Sequence, residues 1–185
     1  MKNAILIGDK IYFRSLERSD IDKGWHDWIN DSVIRENLNG VFPVNREELE
    51  RYWETSVPPA TVMFAVCDKE TGQYIGNARL SDIDWVNRRC TYGRLIGVEE
   101  FRGRGYGTEI LVLLMRYAFL TLGMNRIATG TLISNEASIR SNEKAGMTRE
   151  GVYKEVMWKD GGYQDAVFFG ITRADYDQLS TPEKT

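Results

Sequence analysis

With 185 residues, 42% of them hydrophobic and 28% charged, the chain has the length and composition of one soluble globular domain with a full core. Its formal net charge of −3 argues against nucleic acid as the main partner, since such partners draw on a basic surface that neutralises phosphates. A single histidine and two cysteines offer no credible transition-metal site, and no apolar run is long enough to span a membrane as a helix.

Met1-Lys2-Asn3 leads straight into patterned sequence without a signal-peptide arrangement, so a cytoplasmic location is expected. Ile11 to Leu16 alternates as a strand, and Ser19-Asp20 opens a helix in which Trp25, Trp28 and Ile29 recur at helical spacing. His26 sits on that face, where packing suits it better than a catalytic triad. Asp31 to Asn39 reads as a second, short helical piece, broken by Phe42-Pro43-Val44. Asn45 with Glu48 three residues on is a capping-box start for a helix running to Thr55, and Pro58-Pro59 ends that unit. Val62 to Asp68 and Gln73 to Asp84 are strands joined by a hairpin signal at Lys69 to Gly72. Asn87-Arg88 turns the chain into a third strand, Cys90 to Val98. A long apolar helix, Tyr106 to Leu122, then precedes a strand from Arg126 to Leu132. A helix opening at Asn135 and two last strands around Gly161-Gly162 complete the pattern, and residues from Ser180 on read as a loose tail. Cys67 and Cys90 fall inside strands and read as buried free thiols.

The junction between the third strand and the long helix reads Arg102-Gly103-Arg104-Gly105-Tyr106-Gly107. Glycine lets a backbone turn tightly and approach a ligand, and the helix that follows points unpaired N–H groups at an anion. The run lacks the Gly-Lys-Ser/Thr ending of a Walker loop, and its G-x-G-x-G spacing is not that of a dinucleotide fingerprint. The pattern Arg-x-x-Gly-x-Gly, met by Arg102, Gly105 and Gly107, resembles the acyl-CoA pyrophosphate loop of the GCN5-related N-acetyltransferases. The segment Asn135 to Met147, with Lys144-x-Gly146, is similar to the second signature of that family. The ending Gly161-Gly162-Tyr163-x-Asp165 resembles the branch that holds ribosomal-protein N-terminal, spermidine and amino-sugar acetyltransferases. The resemblance covers residues 10 to 175 and is sharpest from Tyr92 to Asp165. It implies one domain over the whole chain, an α/β (α+β) fold with a mixed, mostly antiparallel sheet of roughly six to seven strands and helices on both faces. It also implies a splayed central strand pair, here Tyr92 to Val98 and Arg126 to Leu132. Gly93 and Gly97 in the first of these suit a close ligand approach or a bulge.

The same resemblance implies acetyl-CoA as acetyl donor, a small-molecule amine as partner, and a homodimer as an assembly open to the chain. Donor contacts are expected from Ile96, Gly97 and Val98 on the splayed strand, and from Arg102, Gly103, Arg104, Gly105, Tyr106, Gly107 and Thr108 in the loop. Asn135, Asn142 and Lys144 add to that set. A free amine is needed for attack, which makes Glu155, Asp82, Asp84 and Glu36 candidate bases. Many family members carry a tyrosine in the Asn135 helix that protonates the departing thiolate. That position here is Asn142, so Ser138 and Tyr92 become the candidate acids. Trp28, Glu36 and Asp84 are the candidate acceptor contacts. The pattern Trp28-Ile-Asn30-Asp31, then Pro43 and the Glu48 to Trp53 helix, resembles acetyltransferases that act on amino sugars, with ribosomal N-termini, polyamines and aminoglycosides as alternatives. A non-catalytic acyl-CoA module on the same fold is the alternative of another class.

Overall fold

The structure is a computed structural model that describes residues 3–38, 40 and 42–180. Eight strands among them form one sheet: β1 (Leu6–Ile7), β2 (Ile11–Ser15), β3 (Val62–Asp68), β4 (Tyr74–Asp84), β5 (Arg89–Ile96), β6 (Arg126–Leu132), β7 (Thr148–Lys159) and β8 (Gly162–Thr172). Their spatial order is β1-β2-β3-β4-β5-β6-β8-β7. The strand beyond the expected six to seven is β1, whose two residues are too few to show periodicity. Every neighbouring pair is antiparallel except β5 with β6. That parallel ladder has three rungs, Arg89↔Arg126, Cys90↔Ile127 and Thr91↔Ala128. Beyond Thr91 the strands separate, which is the expected splay.

Alternation along the strands builds two cores, one on each face. Ile11, Phe13, Phe64 and Val66 face α4 (Tyr106–Arg116), which buries Ile110, Leu111, Leu113, Leu114 and Met115 against them. Tyr12, Ala65, Cys67 and Tyr74 face the other way, onto a lobe made by α1 (His26–Asn30), α2 (Ser32–Arg35) and α3 (Arg46–Thr55). Cys67 and Cys90 are buried free thiols, as their strand positions suggest. The expected long helix ends early, passing at Tyr117 into a π-helical turn to Thr121. Helix α5 is Glu136–Lys144, and a helix the sequence pattern missed, α6 (Arg173–Ser180), follows β8. The Thr172 amide and hydroxyl both donate to Asp175, fixing the α6 start, and Tyr176 packs on Phe119 at 4.9 Å. Asn39, the end of the second helical piece, and the tail from 181 on lie outside the described residues.

Contacts with the lobe explain the strand glycines differently from the ligand approach expected of them. A Cβ on Gly97 would stand 1.8 Å from Trp28 Cδ2, and one on Gly93 would stand 2.9 Å from Arg79 Nε. These positions admit lobe-side side chains onto β5. The lobe itself starts at a buried ion pair. Arg14 on β2 donates twice to Asp20, at 2.7 Å each, and the Glu17 amide donates to the same carboxylate at 2.8 Å. Asp20 is fully buried. Burial alone would raise its pKa, but the Arg14 and Glu17 hydrogen bonds outweigh it and hold the carboxyl below its ordinary range.

Removing one partner leaves a buried unpaired charge, so Asp20→Ala should cost about 3 kcal/mol in denaturant unfolding at pH 7. Because the folded pKa is depressed, this contribution is present above the unfolded value near ~3.9 and is lost as pH falls through the folded value. The wild-type advantage over Asp20→Ala should therefore shrink only at strongly acid pH. A difference under about 1 kcal/mol at pH 7 would contradict the assigned role.

Candidate active site at the strand splay

The glycine loop is built by two left-handed residues and an anchor. Gly103 has φ 74° and Gly105 φ 87°, conformations that favour glycine. Gly105 is the N-cap of α4, and no side chain caps that end. The first-turn amides of Tyr106, Gly107 and Thr108 are therefore available to an anion, with the helix dipole behind them. Lys10, which the sequence did not single out, donates from Nζ to the Arg104 carbonyl at 2.9 Å and places a cation beside the loop. Glu109 accepts from the Lys10 and Ile11 amides and ties α4 to β2.

Arg102 and Tyr106 differ from the simple phosphate contacts expected of them. The Arg102 guanidinium folds back onto β5, donating to the Ile96 carbonyl at 3.1 Å and the Gly97 carbonyl at 2.6 Å. Its placement makes it a brace for the loop. Tyr106 donates its hydroxyl to Asp68 at 2.9 Å and stands edge-on to Phe101, so only its amide points into the loop. The Arg104 side chain is exposed, as a phosphate contact requires.

Of the three strand donors expected, one faces the splay. The Gly97 and Val98 amides both point to the Ile75 carbonyl of β4, at 2.9 and 3.5 Å. Backbone groups alternate in direction along an antiparallel ladder, so those of Tyr92, Arg94 and Ile96 face away from β4, into the open interval. Thr129 on β6 bridges that interval near its vertex, donating to the Tyr92 carbonyl at 3.4 Å.

A polar cluster fills the vertex on the α5 side. Tyr92 donates its hydroxyl to Asn142 Oδ1, and Arg94 donates to the same hydroxyl at 3.2 Å. Arg94 also reaches Asn142 Oδ1 at 3.1 Å, Ser138 Oγ at 3.4 Å and Ser141 Oγ. Asn142 is fully buried, yet its Nδ2 has no partner, an uncommon state for a buried donor. Burial pushes the Tyr92 phenol pKa up, and the Arg94 charge and hydrogen bond pull part of it back. Both candidate acids, Tyr92 and Ser138, thus meet at one guanidinium. Arg94 and Ser141 were missed because no local pattern pairs residues 47 positions apart.

The other candidates divide by place. Asn135 caps α5, accepting from the Ser138 amide at 3.1 Å, and Lys144 is exposed in its last turn. Asp82 lies at a bulge in β4 and accepts from the Thr91 hydroxyl at 2.6 Å, beside the last parallel rung. Asp84 sits in the β4–β5 turn, at the closed end of the splay. It receives the Asn87 side chain at 2.7 Å, the Asn87 amide at 2.9 Å and Arg89 at 3.3 Å, and these bonds hold its pKa down at about 2. Glu155 is exposed on the outer strand β7, with β8 between it and β6, so it is not brought to the vertex. Trp28 packs on Tyr74 at 4.9 Å and on Gly97, an anchor for the lobe. Glu36, by contrast, lines a polar cavity of about 550 Å³ with Ser32, Asn37, Ser134, Lys159, Asp160 and Gln164. Lys159 holds that cavity's walls together, donating to the carbonyls of Arg35, Glu36 and Leu38.

The outward-facing amides of β5 and, beyond the turn at 97–105, the first-turn amides of α4 are two sets of donors suited to an extended, anionic thioester, which is the chemistry of an acyl-CoA. Comparisons agree. The family model for the acetyltransferase (GNAT) domain matches residues 10–148. The SPbeta prophage-derived uncharacterized N-acetyltransferase YokL of Bacillus subtilis is 26% identical over 92% of this chain and 94% of its own length. Human alpha/beta-tubulin-N-acetyltransferase 9 is 24% identical over 77% of this chain and 74% of its own. Among solved structures, the spermidine N-acetyltransferase of Vibrio cholerae, in complex with CoA and spermine, superposes with a TM-score of 0.84 at 24% identity. That likeness covers 91% of this chain and 99% of the other, and it shows a shared fold. The chain belongs to the GNAT acetyltransferase family and is an acyltransferase whose acetyl donor is acetyl-CoA.

Proposed function

We propose that this enzyme acetylates a small cationic amine, with the donor and acceptor approaching the splay from opposite faces of the sheet. The observation that carries this reading is the open edge of β5, residues 92–96, joined through the turn at 97–105 to the uncapped start of α4. The loop amides, Lys10 and Arg104 would hold the pyrophosphate, braced by Arg102. The Ile96 amide would hold the pantetheine arm or polarise the thioester carbonyl.

Two groups at the vertex suit the proton transfers. Thr91 and Tyr92 are consecutive, so their side chains point to opposite faces of β5. Asp82, held by Thr91, lies on the lobe face and serves as the base that takes the amine proton. Tyr92, on the α5 face, protonates the departing sulfur, the task its family assigns to the helix position occupied here by Asn142. An ammonium of pKa about 10 gains most from such a base at neutral pH.

Side-chain chemistry favours a cationic acceptor over an amino sugar. Of the aromatic residues that could stack on a sugar, Trp25 is buried, Trp28 anchors the lobe and Trp53 donates to the Leu16 carbonyl, which leaves Trp85, exposed and tied by its indole N–H to the Pro59 carbonyl. The cavity beside α2 carries Glu36 and Asp160, while Lys159, the one cation among its described lining residues, is satisfied by three carbonyls. The spermine held by the Vibrio cholerae neighbour is a molecule of this class.

Arg102→Ala and Gly105→Val should each weaken acetyl-CoA binding by about 1.5 kcal/mol, roughly tenfold. One loses the brace and the other its left-handed turn. Calorimetric affinities equal to wild type in both would remove the loop from the donor site. Tyr92→Phe and Asp82→Asn should each lower kcat by about 10² or more at neutral pH while leaving the acetyl-CoA KM nearly unchanged. Wild-type kcat in both would mean that solvent performs the proton transfers. In an acceptor panel, spermidine should exceed a nucleotide-linked amino sugar and an N-terminal peptide by about tenfold in kcat/KM, and Glu36→Gln should raise only the amine KM. A preference for the sugar or the peptide would overturn the choice of acceptor.

A further inference from the structure

The charge of Arg94 has no opposite charge beside it among the described residues. Arg94 is half-buried beside a buried tyrosine, and every partner of its guanidinium among the described residues is a neutral oxygen. No carboxylate of those residues forms an ion pair with it. Hydrogen bonds to neutral oxygens offset part of the cost of a half-buried guanidinium, and negative charge forming next to it would offset more. The position of that charge is constrained. Arg94 and Tyr92 share one face of β5, and Nη1 donates to the phenolic oxygen at 3.2 Å, so this contact uses a lone pair and not the phenolic proton. The proton rests on Asn142 Oδ1. The other guanidinium arm is held by Ser138, Ser141 and Asn142, which fix its direction.

We propose that Arg94 is the positioning residue for Tyr92: it fixes the phenol at the vertex and stabilises the phenolate created by proton donation. The inference rests on the reading of Tyr92 as the acid. In the step, the amine nitrogen bonds to the thioester carbonyl carbon and the carbon–sulfur bond breaks, leaving its electron pair on sulfur. Rotation of the Tyr92 hydroxyl away from Asn142 brings its proton to that sulfur, and the phenolate so formed pairs with the Arg94 guanidinium. The surplus amine proton passes to Asp82 and on to solvent, from which the phenolate is reprotonated. The products are the acetamide and a neutral thiol, with no oxidant or reductant required.

The test is steady-state kinetics across pH for wild type, Arg94→Gln, Arg94→Lys, Tyr92→Phe and the Arg94→Gln/Tyr92→Phe double variant, with circular dichroism confirming fold. Arg94→Gln should lower kcat by about tenfold or more while the acetyl-CoA KM stays within about threefold, and Arg94→Lys should recover part of the loss. Loss of the positive charge raises the phenol pKa, so the alkaline limb of kcat should move to higher pH in Arg94→Gln. In the Tyr92→Phe background, Arg94→Gln should cost little more, because the two act as a unit. An equal loss in both backgrounds, or a raised acetyl-CoA KM with unchanged kcat, would overturn the inference and leave the functional reading standing. Absence of turnover by wild type with every amine offered would bring down both.

Discussion

The short parallel ladder between β5 and β6 is the constraint on which the rest depends. β6 is committed to β8 over seven register pairs, Arg126↔Thr172 through Leu132↔Ala166, and β5 is committed to β4 along its length. After three rungs the two halves of the sheet diverge, and every second residue of β5 is left with backbone groups facing no strand. Backbone groups inside a fold require partners, so an interval of this kind is either filled by side chains or reserved for a ligand. Here both occur. Tyr92, Arg94 and α5 fill the vertex on one face, while the Ile96 edge runs on to the glycine loop.

Charge is sorted around that interval in a chain whose net charge is only −3. Lys10, Arg94, Arg102 and Arg104 cluster around β5 and the start of α4, where a helix dipole already favours anions. Asp82 at the bulge and Glu36 and Asp160 in the cavity lie on the other side, while near the loop Glu109 and Asp68 are occupied by the Lys10 and Ile11 amides and the Tyr106 hydroxyl. In the proposed reading this separation keeps an anionic donor and a cationic acceptor on their own sides until they meet at the vertex. It also explains why the lobe is anchored so firmly, by Trp28 against Gly97 and by the Arg14–Asp20 pair, since the acceptor cavity is only as well defined as the lobe's seat on the sheet.

Much of the architecture was legible in the sequence because its signals are local. The hairpin at Lys69 to Gly72, the Asn45 and Asn135 caps, and the glycine loop each depend on neighbours a few residues away. The parts that were not legible depend on distant partners. Arg94 reads as an ordinary polar strand residue until α5 folds over it, and Gly97 looks like a ligand clearance until Trp28 arrives from the lobe. Asp84 carries a local signal of its own, an Asx-type turn closed by Asn87. Helix α6 had a local signal in Thr172 and Asp175, but it was masked by the run of β8 into it.

The decisive measurement is a crystal structure with CoA and a non-reactive polyamine analogue. Pyrophosphate should lie on the amides of residues 103–108, pantetheine along the Ile96 edge of β5, the sulfur within hydrogen-bonding distance of the Tyr92 hydroxyl, and the analogue's amine near Asp82. CoA bound away from the interval between β5 and β6, or a sulfur that approaches neither Tyr92 nor Ser138, would contradict this arrangement.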